Sequence, residues 1–212
     1  MTLLDIPLEE LIRIKKEIEG TAVNEKSVAN REFSWLYRKD KPLELMKIIS
    51  TTPESSALQM LGVGIEFEDY ENTDALAHLH NHPSGLMVPT VGDNACFLRS
   101  IKRNKDLKYE LIASSKGGFV NGFYVLEYEG DRNDANDNLT RLEKCFRKHV
   151  EDRNKEMSDF PERFEHIGVG DSIFTLEEYT AISLEIMELI KARHYAVALP
   201  GFKFSDWQFL PE

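Results

Sequence analysis

The chain is poor in cysteine: 212 residues hold two, Cys96 and Cys145, far apart and outside any CxxC spacing. A disulfide scaffold is thereby excluded. Both fall at apolar positions of helical stretches and read as reduced thiols of a cytoplasmic protein, neither nucleophile nor metal ligand. Long apolar runs are missing too. No stretch approaches the roughly 18 consecutive apolar residues of a membrane span, and the N-terminus shows no basic-then-apolar leader. Positive charge is scarce: 26 Lys and Arg stand against 37 Asp and Glu, a formal net charge of −11. That balance argues against broad nucleic-acid binding, which needs a basic face. The small cluster Lys102, Arg103 and Lys105 reads as a solvated helix end. Repeats and low-complexity tracts are absent. The polar run 131–138 fails as a calcium loop, because Ala135 takes a ligand position and the central Gly and closing Glu are missing.

What is present suits one globular domain, or one with an appendage: 42% hydrophobic and 30% charged residues, enough for a sizeable core. Leu8, Leu11, Ile12, Ile14 and Ile18 recur at helical spacing between Pro7 and Gly20, predicting a packing helix. Two apolar runs, 31–38 and 43–50, flank the polar break Lys39-Asp40-Lys41-Pro42 and predict a β-hairpin. Residues 53–56 can cap a short helix over 57–61, and 62–67 reads as strand or loop. A short strand is expected over Asp74–Leu79. A helix follows from near Asp93, then two strands, 109–114 and 119–128, meet across a Gly turn. Beyond a polar linker come an amphipathic helix from Asn138 to about Met157, a Pro- and Gly-containing connector, and a second helix. The last opens on the capping box Thr175/Glu178 and runs to about His194. The tail from Ala196 to Phe209 is strand-like and aromatic, and His149, His166 and His194 have no ligand partners at useful spacing.

The chemistry concentrates in 77–93, which reads Ala-His-Leu-His-Asn-His-Pro-Ser-Gly and continues Val88-Pro89-Thr90-Val91-Gly92-Asp93. Two imidazoles one residue apart at a strand end, and a carboxylate opening the next helix, can form three sides of a cage around a divalent cation. Zinc accepts such ligands and, in catalytic sites, keeps a fourth position for water. His80, His82 and Asp93 fit H-x-H-P-x6-[S/T]-x2-D, whereas His78 is two residues out of step with Asp93 and reads as packed or hydrogen-bonded within the strand. At these positions the chain resembles the JAMM (MPN-plus, JAB-domain) zinc metallopeptidases, with Thr90 where serine is usual. The wording HNHPSG is most similar to the RadC branch. The resemblance covers about residues 30–129.

That resemblance implies an α/β fold, a curved mixed sheet flanked by helices of the JAMM and cytidine-deaminase kind, over residues 1–129. A mainly helical C-terminal extension would occupy 130–212. It also implies a catalytic glutamate at the start of a strand some tens of residues before the His pair. Glu32, 48 positions ahead of His80, is the choice, with Glu44 in the return arm as its rival. Under this reading Zn2+ sits on His80, His82 and Asp93, and Glu32 serves as general base. Thr90 either donates to the developing oxyanion or simply caps the helix. The implied substrate is a protein, the C-terminal tail of a ubiquitin-like protein laid along a sheet edge, with no membrane or nucleic-acid partner. Two other readings stay open: a RadC-like or non-catalytic scaffold module, and hydrolysis of a small non-peptide amide.

Overall fold

The computed structural model describes residues 6–23, 26–29, 31–46, 48–50, 64–65, 74–83, 88–163 and 173–201. In chain order its elements are α1 (Leu8–Glu19), β1 (Ala22–Val23), β2 (Lys26–Ser27), β3 (Ser34–Tyr37), β4 (Glu44–Leu45), β5 (Ile48–Ser50), β6 (Gly64–Ile65), β7 (Ala77–His82), α2 (Val91–Arg103), β8 (Tyr109–Ser114), β9 (Gly122–Tyr128), α3 (Ala135–Asp159), α4 (Leu176–Leu189) and β10 (Ala192–Ala198). Six strands form one mixed sheet in the order β10-β9-β8-β7-β3-β4. Its one parallel pair is β7 with β8, the two strands that α2 connects. A parallel pair needs such a crossover, so α2 must cross one face of the sheet and begin where β7 ends.

Strand periodicity divides the core in two. Alternate residues of the central strands, Leu79, Leu111, Ala113, Phe123 and Val125, pack on one face against Leu11, Ile14 and Ile18 of α1. The residues between them, Ile112, Tyr124 and Leu126, join α2, α3 and α4 on the other through Phe97, Leu98, Leu142, Ile186 and Met187. By the same alternation His78, His80 and His82 all lie on the helical-layer face of β7. Three histidines thus lie among the mainly apolar side chains of that face.

The expected α/β architecture is therefore present: a mixed sheet flanked by helices, with a helical C-terminal part. Local details differ. β7 continues past Leu79 through His82, because β8 pairs with it residue for residue up to His82↔Ser114. The hairpin forms between β3 and β4 around a turn that uses Asp40 at φ 59°, a left-handed conformation that aspartate tolerates. The return arm is not one strand, since Ile48–Ser50 pair instead with Gly64–Ile65. The helix expected over 57–61 lies outside the described residues. α4 ends at Leu189 rather than near His194: Lys191 adopts φ 57°, its N–H bonds the Glu188 carbonyl, and the chain leaves as β10 against β9. The polar run after β9 is short, and α3 begins at Ala135. Arg132 just before it donates to the carbonyls of Ile101 and Asn104, each at 2.7 Å, and of Leu107, stitching the end of α2 to the C-terminal layer. Among the described residues no helix is long and apolar enough to cross a membrane.

Phe123 is fully buried at the centre of the α1-facing core. Phe123→Ala should lower stability by about 3–5 kcal/mol, read as a reduced urea midpoint with an unchanged slope. A loss below about 1 kcal/mol would show that the α1 face is not a close-packed core.

Candidate metal centre

β8 sets the first constraint. Its parallel register puts Glu110 beside His78 on the shared face, and the carboxylate is completely buried. Glu110 Oε1 lies 2.8 Å from His80 Nδ1 and 2.9 Å from His78 Nδ1. An ionised carboxylate only accepts, so His80 Nδ1 must carry the proton, which leaves Nε2 as the free lone pair or second protonation site. Burial opposes charge on Glu110, but His78 and His80 outweigh it and hold its carboxyl below the usual range.

His80 Nε2 points away from Glu110 to a position 3.0 Å from His82 Nε2 and 3.5 Å from Asp93 Oδ1. His82 Nε2 is 3.4 Å from Asp93 Oδ2. Ligands about 2.0–2.2 Å from a tetrahedral zinc are separated from one another by roughly 3.3–3.5 Å. The His80–His82 contact of 3.0 Å, and the 3.5 and 3.4 Å contacts that the two Asp93 oxygens make with one imidazole each, are of that order. Glu32 completes the group: one ligand atom from each of Glu32, His80, His82 and Asp93 lies within 4.8 Å of all the others. Two imidazoles and two carboxylates, converging and largely buried, could hold a divalent metal ion. An overlapping buried group, His78, His80 and Glu110, adjoins it.

Asp93 is placed by helix chemistry. Thr90 is the N-cap of α2, its Oγ1 accepting the Asp93 N–H at 3.1 Å while Asp93 Oδ2 accepts the Thr90 N–H at 2.6 Å. This reciprocal box and the helix dipole favour a negative first-turn residue. Burial disfavours the Asp93 charge, yet His80 and His82 hold its carboxyl well below the usual value. α4 steadies the same turn, with the Tyr179 hydroxyl accepting the Val91 N–H at 2.6 Å and Ser183 donating to the Pro89 carbonyl.

Glu32 sits two residues before β3, and an amide on the opposite face of β7 fixes its backbone. Asn81, fully buried, accepts the Phe33 N–H at 2.8 Å and donates to the Arg31 carbonyl at 3.0 Å and to Ser115 Oγ at 2.9 Å. The residues on both sides of Glu32 are thus gripped by the one between the two histidines. Burial pushes the Glu32 carboxyl up, with His80 and His82 pulling back. That direction moves a carboxylate towards the proton affinity a neutral-pH base needs. Its rival Glu44 is exposed and paired with Arg38 on the edge strand β4.

All five residues singled out in the sequence therefore lie at one place, four as convergent donors and Thr90 as the cap beneath Asp93. Sequence reasoning missed Glu110, Asn81, Tyr179 and Ser183. A glutamate in the apolar strand Tyr109–Ser114 was the available signal for the first; the others act across faces that spacing does not reveal. Compared with family models, curated proteins and solved structures, the chain matches none of them.

Two outcomes follow from this geometry. Glu110→Gln removes the charge that orients His80 and should weaken binding of a divalent probe ion about 10–100-fold, measured by competition with a chromophoric chelator; unchanged affinity would detach Glu110 from the centre. The second concerns pH. Burial works against a charged His80, but Asp93 and Glu110 raise its pKa well above 6.5. Its contribution to stability in the metal-free protein is then complete below an unfolded pKa of about 6.5 and is lost as pH rises through the folded value. Asp93 and Glu110, depressed in the fold, contribute above about pH 4 and lose that contribution as acid protonates them at their lower folded pKa. Chelated protein should therefore melt lower as pH climbs above neutrality, and zinc affinity should rise over the same range because His80 must shed its proton. A metal-free melting temperature that increases above neutral pH would contradict the charge assignment.

Proposed function

We propose that this chain is a zinc-dependent amide hydrolase of the JAMM metallopeptidase kind, acting as a peptidase or isopeptidase. The observation that carries the reading is the convergence of Glu32, His80, His82 and Asp93 within 4.8 Å, on the sequence pattern that resembles that family. The donor set fits zinc: neutral imidazole nitrogens and a carboxylate oxygen on three sides, with a second carboxylate near enough to move protons. His80, His82 and Asp93 would hold the zinc, which would supply a Lewis acid able to bring the pKa of water to about 7.

The chain's own residues do the remainder. Glu32 takes a proton from the attacking water and returns it to the leaving amine, the exchange for which its raised pKa suits it. His80, its Nδ1–H committed to Glu110, keeps Nε2 directed at the centre. Thr90 holds Asp93 by capping, and by the family resemblance its hydroxyl is also the donor to the carbonyl oxygen as charge develops. The substrate class follows from the same resemblance: the extended C-terminal tail of a ubiquitin-like protein, added as a strand at a sheet edge. The β4 edge lies two strands from β7 and exposes Leu45, which supports that approach. The chain's net charge of −11 favours a basic partner.

Incubating zinc-loaded protein with an amide-linked fusion of a ubiquitin-like protein should release the two halves. Glu32→Gln should slow release by about 100-fold or more while zinc stoichiometry stays unchanged. Stoichiometric zinc with no turnover of any such fusion would overturn the peptidase reading and favour a scaffold module instead.

A further inference from the structure

A second mixed cluster lies on the helical layer, where α3 packs against α4. We propose that Cys145, His149 and Glu185 form a separate transition-metal site, taking zinc or a similar borderline divalent cation and bridging the two helices. Cys145 and His149 are one turn apart on α3 and so share a face. Glu185 reaches across from α4 with one oxygen to each, Oε1 at 3.5 Å from Cys145 Sγ and Oε2 at 2.9 Å from His149 Nε2. All three ligand atoms lie within 4.8 Å of one another.

Thiol, imidazole and carboxylate together select a borderline cation over magnesium or calcium, which prefer oxygen alone. An open groove of about 330 Å³ borders the cluster, lined by Asp152, Glu156, Glu178 and Glu185, with Arg153 paired to Glu156 and Glu178. Glu185 is exposed, so an ion has a way in. Burial and the neighbouring Glu185 raise the Cys145 pKa, so the thiol is protonated without a cation, and binding one releases that proton to solvent. Glu185 lies half a turn beyond Ser183, which with Tyr179 grips the loop ahead of Asp93. A metal bridge here would fasten α4, and with it that grip, to α3. The site stands whether or not the first centre hydrolyses amides.

Cobalt(II) reads the two centres separately, because Glu32, His80, His82 and Asp93 contain no sulfur. Titrating the full chain, stripped of metal, should produce an intense near-ultraviolet thiolate-to-cobalt band that saturates at one equivalent of this site. Cys145→Ser should abolish the band and Cys96→Ser should keep it. The double substitution His80→Ala and His82→Ala should keep it as well, and Glu185→Gln should weaken cobalt binding at this site at least about tenfold. Zinc stoichiometry should fall by one equivalent per chain in Cys145→Ser. A folded wild-type chain with no such band, or a band that survives Cys145→Ser, would overturn the proposal and leave His149–Glu185 as an ordinary surface pair.

Discussion

Two imidazole nitrogens, His80 Nε2 and His82 Nε2, face each other at 3.0 Å on buried rings. Their lone pairs repel unless a proton or a metal cation lies between them. Where that makes the pair positive, carboxylates offset the charge. Asp93 balances the positive charge from one side, and Glu110 does so from behind His80 while fixing which nitrogen is presented. Neither carboxylate would remain ionised at that depth alone, since burying an unpaired charge costs several kcal/mol. The histidines and carboxylates therefore justify one another, and none is explicable by packing.

Such a cluster tolerates little displacement, and the fold answers with clamps from three directions. Parallel pairing of β7 and β8 sets Glu110. Asn81 on the reverse face holds the backbone on either side of Glu32. Tyr179 and Ser183, one turn apart on α4, hold the loop that leads into the capped first turn of α2. The segment beyond residue 129 is thus engaged with the centre from the start. It extends the sheet through β10, anchors the end of α2 through Arg132, and braces the beginning of α2 through α4.

Much of this was legible in the sequence where local rules suffice. The H-x-H pair with Asp93 at its set offset marked one face of a strand end and the first turn of a helix, and both elements lie there. α1, the β3–β4 hairpin and the capping box of α4 were visible for the same reason: periodicity and turn residues act within a few positions. What escaped notice was decided at long range. Glu110 acquires its meaning only when β8 lies parallel to β7, and Asn81 only when the loop before β3 folds over the opposite face. His194 reads as helical by neighbourhood, yet it belongs to a strand and meets the Tyr124 hydroxyl at 2.6 Å, because a left-handed Lys191 breaks the helix first. His149 and Cys145 looked ordinary since their partner Glu185 is 36 residues beyond His149, on another helix.

A centre built this way ties stability to its own occupancy. Without metal, the pairing of His80 with two carboxylates depends on a retained proton, and any pH that removes it leaves buried negative charge uncompensated. A divalent cation supplies that compensation without regard to pH over the range where the imidazoles are neutral. Binding to the folded state alone then adds RT ln(1 + [L]/Kd), about 2.7 kcal/mol at a hundredfold excess over Kd. That is a sizeable fraction of the 5–15 kcal/mol by which domains are ordinarily stable. The groups that could hold a metal ion are therefore also those whose loading would set how firmly β7, β8 and α2 are held together.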